Sequence, residues 1–509
     1  MTRDFHAHVL LCEHDISAVP RDYVVDVAWT KRVLERWTVD SVFRAEFASG
    51  ATAALQAMGA PLEPGQIRPF TEGFDLEAEL PLSARRYESF MREKRELRRR
   101  FSACGEAADP GMAAWRRRQL YRCTGEPGQG REDATAHAPV AFELSAAGCA
   151  QGGRAETTSG HGRPYTTDDA ALWRDTLTTM RRLLGDVLDE GLLCWATDPL
   201  DTPHYESYLA DFHEVVGSCP RTTTALGHKD VGRTRQLLEL TRSLGPGADR
   251  LSIGSVDSLN RLHAAFTAEE LLRVECVPRN PEAAESIRSP HTDRARQFPR
   301  EFAREFARTR EAEPSAPDVA PVPAGVSGFL IGMTDRTVQL VTPCVPSDRW
   351  PLGHWVLGRG RFSDAAGLSE VIEGMIARNM RAGVGLADPV RLRRDARLAL
   401  SDGELRISAA GRHVAVCDQP DLDDLAACLR EESPLMAIAF ATRRNYRSGV
   451  APEHTFAWLD HLFEHGLLDE EPEPEPLKAV AAGAVQGIPR RCEDGQLPCG
   501  QGGSAGGSI

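Results

Sequence analysis

The sequence predicts an α/β fold in which a parallel sheet or barrel of alternating strands and helices follows a helical N-terminal part and precedes a small α+β unit. Short apolar runs alternate with amphipathic segments between residues 138 and 277, a pattern typical of repeated βα units and a parallel sheet. Residues 310–325 contain four prolines among small and acidic residues, which indicates a linker. A hairpin-like pattern and further helices follow the linker.

The N-terminal part is predicted to be helical. Apolar residues recur near helical spacing at Val33, Leu34, Trp37, Val42, Phe43 and Phe47. Asp40 or Ser41 is suited to cap the second of two helices there. Residues 85–123 form another helical region, rich in arginine and glutamate. We therefore predict a helical module at residues 28–75 and a helical connector at residues 76–135.

Residues 136–310 are predicted to form this parallel sheet or barrel. Its expected strands are 140–144, 192–196, 222–225, 250–253 and 271–277, with helices at 170–188, 205–216, 233–244 and 258–266 between them. Ligands of such folds lie at the carboxyl ends of the strands. Cys149, the turn Thr197-Asp198-Pro199 and the threonines 222–224 fall at these ends.

Residues 326–470 are predicted to form a C-terminal α+β domain of winged-helix-like type. A strand-like alternation spans 329–343, a helix 362–380, a hairpin 390–416 with its turn at Asp402-Gly403, and a helix 451–469. The remaining residues, 471–509, open with Glu-Pro alternation and close in glycine and serine. That composition predicts a disordered tail.

Charge and hydropathy argue against two classes of partner. The chain of 509 residues carries a formal net charge of −14, which does not suit a nucleic-acid binder. No stretch approaches about 18 consecutive apolar residues and no N-terminal targeting segment is present, so we expect a cytoplasmic protein without a membrane span. The 12 cysteines show no regular pairing and are expected to be reduced.

Several phrases, in order, resemble one enzyme family. They are APVAFELSAAGC at 138–149, YTTDDAALWR at 165–174, CWATDPLDTPHY at 194–205, PRTTTA at 220–225 and VTPCVPSDRWPLG at 341–353. Together they resemble the radical S-adenosylmethionine (SAM) maturases of ribosomally synthesised peptides, and among them the subgroup described as peptide amino-acid epimerases. The resemblance covers most of residues 30–470. Residues 31–70 are similar to nitrile-hydratase-like leader peptides, although a plain helical cap is an alternative interpretation.

This resemblance implies a radical-SAM-type partial barrel that holds SAM and a [4Fe–4S] cluster. The family's motif CxxxCxxC supplies three thiolates, and Cys149 matches the first of these metal ligands. Gly153 and Glu156 occupy the second and third positions. Because cluster irons are held almost always by thiolate sulfur, the cluster is doubtful in this sequence.

The resemblance also assigns four residues to SAM. Thr197 and Asp198 match the tract that meets the SAM amino group, and their oxygens are suitable acceptors. Ser252 and Ser255 lie where a later strand would approach the ribose. A helix-entry turn is an equally good interpretation of Asp198-Pro199, and simple capping is an equally good one for the serines.

The missing cysteines have three interpretations. A frame error in the gene, a genuine loss of ligands, or an unusual site completed by Cys194, Cys219 or His161 would each account for them, with a buried core position favoured for Cys194. The expected function is radical SAM-type, epimerase-like maturation of a precursor peptide, impaired at the cluster. The alternative is a pseudoenzyme that binds a leader peptide or a partner maturase without chemistry.

Overall fold

The computed structural model describes residues 19–71, 80–102, 109–123, 138–144, 167–195, 197–245, 249–280, 282–284, 326–344, 349–350, 354–401, 403–409, 412–417, 421–430 and 434–472. Cys149, Gly153, Glu156 and His161 lie outside these residues, as do the tail beyond residue 472 and the whole of the predicted linker. None of the described helices is long and apolar enough to cross a membrane.

The N-terminal part is helical, as the sequence predicts. Its helices are α1 (Arg21–Val39), α2 (Ser41–Ala57), α3 (Pro64–Thr71), α4 (Leu82–Ser102) and α5 (Pro110–Cys123). The Asp40 carboxylate accepts hydrogen bonds from the backbone N–H groups of Val42 (2.9 Å) and Phe43 (3.2 Å). The predicted N-cap is therefore confirmed at Asp40, which satisfies donors that the first turn of α2 leaves unpaired.

The alternating part continues with β1 (Ala138–Glu143), α6 (Thr167–Leu184), β2 (Leu192–Leu193), α7 (Tyr205–Val216), β3 (Thr223–Thr224), α8 (Val231–Leu244), β4 (Arg250–Ile253), α9 (Val256–Ala265) and β5 (Glu275–Pro278). Parallel pairing joins β1 to β2, β3 to β4, and β4 to β5. A parallel bridge between Leu192 and Arg221 links the two groups. The five strands thus follow one another in chain order, as expected for repeated βα units.

A second set of strands extends the sheet beyond β1. These are β6 (Val326–Gly332), β7 (Thr337–Pro343) and β8 (His354–Arg361), followed by α10 (Ala365–Asn379). β6 pairs parallel with β1, and β7 and β8 add antiparallel. The expected single strand at 329–343 is wrong, because the chain reverses between β6 and β7 at Arg336, which has φ 56°. The described strands do not close into a barrel.

Contact between β1 and β6 depends on one glycine. Gly328 has φ +152°, and a Cβ atom there would lie 1.8 Å from the carbonyl oxygen of Pro139. The register of the two strands also shifts next to Pro139, between Ala138 and Val140. A glycine inside a strand is typical of such a close approach between backbones.

The main hydrophobic core lies between this sheet and its helices. Trp173 of α6 is fully buried, and its ring contacts Phe142 of β1 edge-on with centroids 4.9 Å apart. The indole N–H of Trp173 donates to the backbone carbonyl of Tyr208 in α7 (3.1 Å). Buried aromatic residues of this kind contribute large apolar area and still need a partner for their polar atom. They hold α6 and α7 against β1 and so position the ends of the first strands.

The C-terminal part contains β9 (Arg397–Ser401), β10 (Glu404–Ala409), β11 (Arg412–Cys417), α11 (Leu422–Arg430), α12 (Ala437–Ser448) and α13 (Pro452–Glu464). The three strands form an antiparallel sheet in the order β11-β10-β9. Of the predicted turn Asp402-Gly403, Asp402 lies outside the described residues, and Gly403, which directly precedes β10, has φ 77°. The sequence pattern did not predict β11 as a separate strand, or the helices α11 and α12.

An acidic segment, Asp469–Glu471, follows this part and contacts the connector helix α5. Arg118 binds the Glu470 carboxylate with two nitrogens, at 3.0 and 3.1 Å, and Arg122 binds it at 3.0 Å. Burial opposes ionisation of Glu470, but the charges of Arg122 and Arg118 outweigh it and lower the pKa of this carboxyl. Glu471 accepts from the indole of Trp350 (2.9 Å) and pairs with Arg349 (3.1 Å).

Candidate functional site

The carboxyl ends of β1, β2 and β3 lie side by side because the three strands are parallel. Glu143 is the last residue of β1, and Thr197 follows β2. The Thr197 hydroxyl, which is buried, donates a hydrogen bond to the Glu143 carboxylate. A carboxylate and a hydroxyl from neighbouring strands therefore meet at the edge where ligands of such sheets bind.

Asp198 connects the ends of β2 and β3. Its Oδ1 accepts from the Thr224 hydroxyl (2.6 Å) and from the backbone N–H of Leu200 (2.9 Å), and its Oδ2 accepts from the N–H of Ala225 (2.8 Å). The residue is only 2% exposed and caps the short 3-10 helix Pro199–Asp201. Both carboxylate oxygens are engaged within the protein. This geometry favours the helix-entry turn that the sequence left open as an alternative.

The two serines occupy different positions in the next βα unit. Ser252 lies within β4, opposite Val277 of β5. Ser255 caps α9: its hydroxyl accepts from the N–H of Ser258 (3.1 Å), and the Ser258 hydroxyl accepts from the N–H of Ser255 (3.2 Å). This reciprocal pair is a capping box. For Ser255 the capping interpretation is the one that the contacts favour.

Glu143 is a candidate that the sequence did not reveal. Glu143 is half-buried and lies at the end of β1, beside Thr197. Burial is the main cause that raises the pKa of the Cys194 thiol, and the negative charge of Glu143 adds to it. A carboxylate at a strand end is a suitable acceptor for the ammonium group of an amino-acid-like ligand. The signal in the sequence is modest: a single charged residue ends a strand whose first five residues are buried.

Two cysteines proposed as replacement ligands, Cys194 and Cys219, lie in surroundings that favour the protonated thiol when no metal is bound. Burial raises the pKa of Cys194 to about 12, and its Sγ lies 3.4 Å from the Thr202 hydroxyl. Burial also raises the pKa of Cys219 to about 12. Because the thiolate is the form that binds metal, both side chains hold their protons at neutral pH. The part of the chain that the structure describes contains no group of three or more metal-ligating side chains.

The donors do not fit a site-differentiated [4Fe–4S] cluster. Such a cluster needs three thiolates, whereas the positions at the family spacing hold Cys149, Gly153 and Glu156. The nearest cysteine after β2, Cys194, is buried and protonated. We therefore derive no radical chemistry from these residues.

A second candidate surface is the edge of the C-terminal sheet. Within the described residues, β11 pairs on one side only, with β10. His413 and Ala415 are exposed on this strand, whereas Val414 between them is buried. An edge strand with unpaired backbone groups is a suitable template for an extended peptide.

Comparisons with known proteins identify similarity over most of the chain but no function. The uncharacterized protein y4wI of Sinorhizobium fredii is 29% identical over 459 residues, which is 87% of this chain and 87% of that protein. No protein-family model matches the chain. No solved structure matches it either.

Proposed function

We propose that the protein takes part in the maturation of a ribosomally synthesised precursor peptide, as a radical SAM-type, epimerase-like protein whose cluster site is impaired. The observation that carries this proposal is the row of strand ends at β1, β2 and β3. There Glu143 and Thr197 form a polar edge, and Cys149 follows Glu143 by six residues in the sequence. This is the edge at which parallel α/β folds bind their ligands.

The C-terminal unit supports a peptide as the partner. Its three-stranded sheet offers β11 as an edge for strand addition, in which backbone hydrogen bonds supply affinity and alternate side chains supply specificity. The leader-like N-terminal helices would then either bind the precursor peptide at a second site or mimic its leader. No nucleic acid or membrane is required by this proposal.

A specific observation favours a second candidate function, that of a pseudoenzyme. Asp198 and Ser255, which the resemblance assigns to SAM, use their side-chain oxygens within the protein. The buried thiols Cys194 and Cys219 hold their protons. A chain that binds a leader peptide or a partner maturase, and no iron, accounts for these contacts equally well.

Iron content separates the two functions. We would reconstitute the full chain anaerobically with iron and sulfide, measure both, record an electron paramagnetic resonance spectrum with and without SAM, and assay 5′-deoxyadenosine. An active maturase is expected to hold about four irons per chain, as a [4Fe–4S] cluster requires. It is also expected to change its reduced spectrum with SAM and to lose the signal in Cys149→Ala.

Cys219→Ala tests a candidate replacement ligand, and Cys428→Ala is the matched control. Loss of iron in Cys149→Ala and Cys219→Ala, but not in Cys428→Ala, would indicate that Cys219 is an unusual cluster ligand. Absence of iron and of 5′-deoxyadenosine in the unmodified chain would contradict the maturase and support the pseudoenzyme. A shifted reading frame across codons 150–164 could instead encode two cysteines at the CxxxCxxC spacing. Finding them would restore the interpretation of the protein as an active enzyme.

A further inference from the structure

Two histidines lie in contact at the C-terminal end of α13. His461 is in the last turn of the helix, and His465 follows it by four residues, at the C-cap. Residues four apart lie on the same side of a helix. The centroids of the two imidazole rings are 4.3 Å apart, and the ring planes are inclined by 58°. We call these two residues the histidine pair.

A hydrogen bond to the backbone orients the ring of His465. Its Nδ1 lies 2.9 Å from the carbonyl oxygen of His461. Because a carbonyl oxygen can only accept, Nδ1 carries the proton of the neutral ring, and Nε2 carries the lone pair. A histidine that binds a metal ion almost always donates its other ring N–H to a carbonyl, a carboxylate or water. The contact therefore sets Nε2 of His465 as a metal ligand.

The backbone that carries the histidine pair is held in place by the core. Leu462 and Phe463 are buried in the C-terminal unit. Gly466 follows the helix with φ +66°, and a Cβ atom there would lie 3.1 Å from the carbonyl oxygen of Arg118 in α5. The first histidine of the pair is exposed and the second is half-buried. A fixed helix thus presents both rings on its outer side, and sites built on helices are more precise than sites on loops.

Helix capping explains only one of the two histidines. A histidine near the end of a helix can bond to the last carbonyl groups, which lack partners within the helix. His465 does this. A second imidazole in contact with the first adds nothing to the cap, but it completes a ligand with two nitrogen donors.

The spacing of the rings suits one metal ion. Two nitrogens bound to a tetrahedral zinc ion are about 3.3 Å apart, because Zn–N distances are about 2.0–2.1 Å. Ring centroids 4.3 Å apart allow that separation. Imidazole suits zinc, copper and nickel, whereas magnesium and calcium prefer oxygen ligands. In the described part of the chain no third metal-ligating side chain joins the pair, so water would complete the coordination.

We propose that the histidine pair binds one divalent ion of the late first-row transition metals, namely Zn²⁺, Ni²⁺ or Cu²⁺. The ion joins two side chains of the last turn of α13 and so stabilises the end of this helix. Binding to the folded chain raises its stability by mass action. The inference rests neither on peptide maturation nor on SAM or an iron–sulfur cluster.

The test uses the untagged full chain, freed of metal with a chelator and titrated with NiCl₂ in a calorimeter. His461→Gln and His465→Gln should each weaken the binding of one Ni²⁺ per chain at least about tenfold. The double variant should lose little more than either single variant, because a chelate needs both ligands. Ni²⁺ should also raise the thermal midpoint of the unmodified chain, and this rise should be absent in His461→Gln, which leaves the capping ring in place.

His454→Gln is the matched control. His454 is an exposed histidine of the same helix, about two turns before His461, and its variant should bind Ni²⁺ as the unmodified chain does. Unchanged Ni²⁺ binding in both variants of the histidine pair would overturn the proposal, because the ion would then lie elsewhere. Equal losses in His454→Gln and His461→Gln, or a thermal response to MgCl₂ as large as that to NiCl₂, would overturn it as well.

Discussion

Asp249 shows how a single buried carboxyl can make the stability of the fold depend on pH. It immediately precedes β4 and accepts a hydrogen bond from the Thr241 hydroxyl (2.6 Å). Burial raises its pKa from 3.8 to about 6, and the Thr241 hydrogen bond and the charge of Arg242 offset this only in part. The buried environment therefore favours the neutral, protonated form of the carboxyl over the ionised form.

The consequence is a loss of stability with rising pH. Because the pKa of Asp249 is higher in the folded than in the unfolded chain, its contribution is fully present below about pH 4 and is lost as pH rises through about 6. We expect Asp249→Asn to gain about 2 kcal/mol relative to the unmodified chain between pH 4.5 and 7.5. Urea unfolding of both proteins at the two pH values measures this.

Asp257→Asn is the control for this prediction. Asp257 is exposed and pairs only with Arg261 of its own helix, so its substitution should shift stability by the same small amount at both pH values. The interpretation of Asp249 would be wrong if Asp249→Asn and the unmodified chain changed in parallel between the two pH values.

At the residue scale, the sequence indicates which polar residues lie at strand ends, but it does not indicate their hydrogen-bond partners. It identified Asp198 and Ser255 as polar groups at strand ends, with a turn and a cap as alternatives, and the contacts agree with those alternatives. Two of the partners of Asp198, Thr224 and Ala225, lie 26 and 27 positions later in the chain, beyond any local pattern. The roles of Thr197, Asp198, Ser252 and Ser255 in SAM binding stay predictions.

Among the elements, the pairing of β1 with β6 depends on the absence of a side chain at Gly328. An alanine there would place its Cβ 1.8 Å from the Pro139 carbonyl oxygen, at a φ of +152° that L-residues rarely adopt. We expect Gly328→Ala to lower the free energy of unfolding by at least about 3 kcal/mol. Thermal or urea unfolding measures the change.

Gly374→Ala provides a contrast within α10. The nearest atoms to a Cβ at Gly374 belong to the flexible end of Arg378, at 3.6 Å. Alanine in a helix interior is favoured over glycine by about 0.5–1 kcal/mol, so this variant should be slightly more stable. An unchanged unfolding midpoint in Gly328→Ala would mean that β1 and β6 do not approach as closely as the structure describes.

Elements with clear periodicity were predictable, and those defined by packing were not. Helix α7 spans 205–216 and β4 spans 250–253, in agreement with the sequence pattern. The strand expected at 271–277 forms only from residue 275. Leu271, Leu272 and Val274 are buried without strand pairing, so their apolar character reflects burial in a turn. β8 escaped prediction because glycines and arginines interrupt its alternation.

Across the whole molecule, Glu470 joins parts of the chain that lie far apart in sequence. Its carboxylate is buried against Arg118 and Arg122 of α5, and the ring of Phe463 lies 3.7 Å from the guanidinium of Arg118. Removing one charge from a buried network costs about 3–5 kcal/mol, because the remaining charges stay buried without compensation. We expect Glu470→Gln to destabilise the protein by this amount in urea unfolding.

Glu464→Gln is the matched substitution. Glu464 is exposed at the end of α13, and its replacement should change stability by less than about 0.5 kcal/mol. Equal unfolding midpoints for Glu470→Gln and Glu464→Gln would show that the acidic segment does not unfold cooperatively with the rest of the described chain.

The same contact sets the order in which a newly made chain can finish folding. Arg118 and Glu470 are 352 residues apart, and a ribosome adds about 5–20 residues per second. Helix α5 therefore exists for roughly 18 to 70 s before its counter-charge is synthesised. A nascent chain that stops before Asp469 contains the backbone carbonyls of Arg381 and Leu468 that Arg118 and Arg122 bind, but it lacks the Glu470 carboxylate that neutralises them. Native assembly is completed only once residue 470 has been synthesised, because only then can the buried charges of Arg118 and Arg122 be compensated.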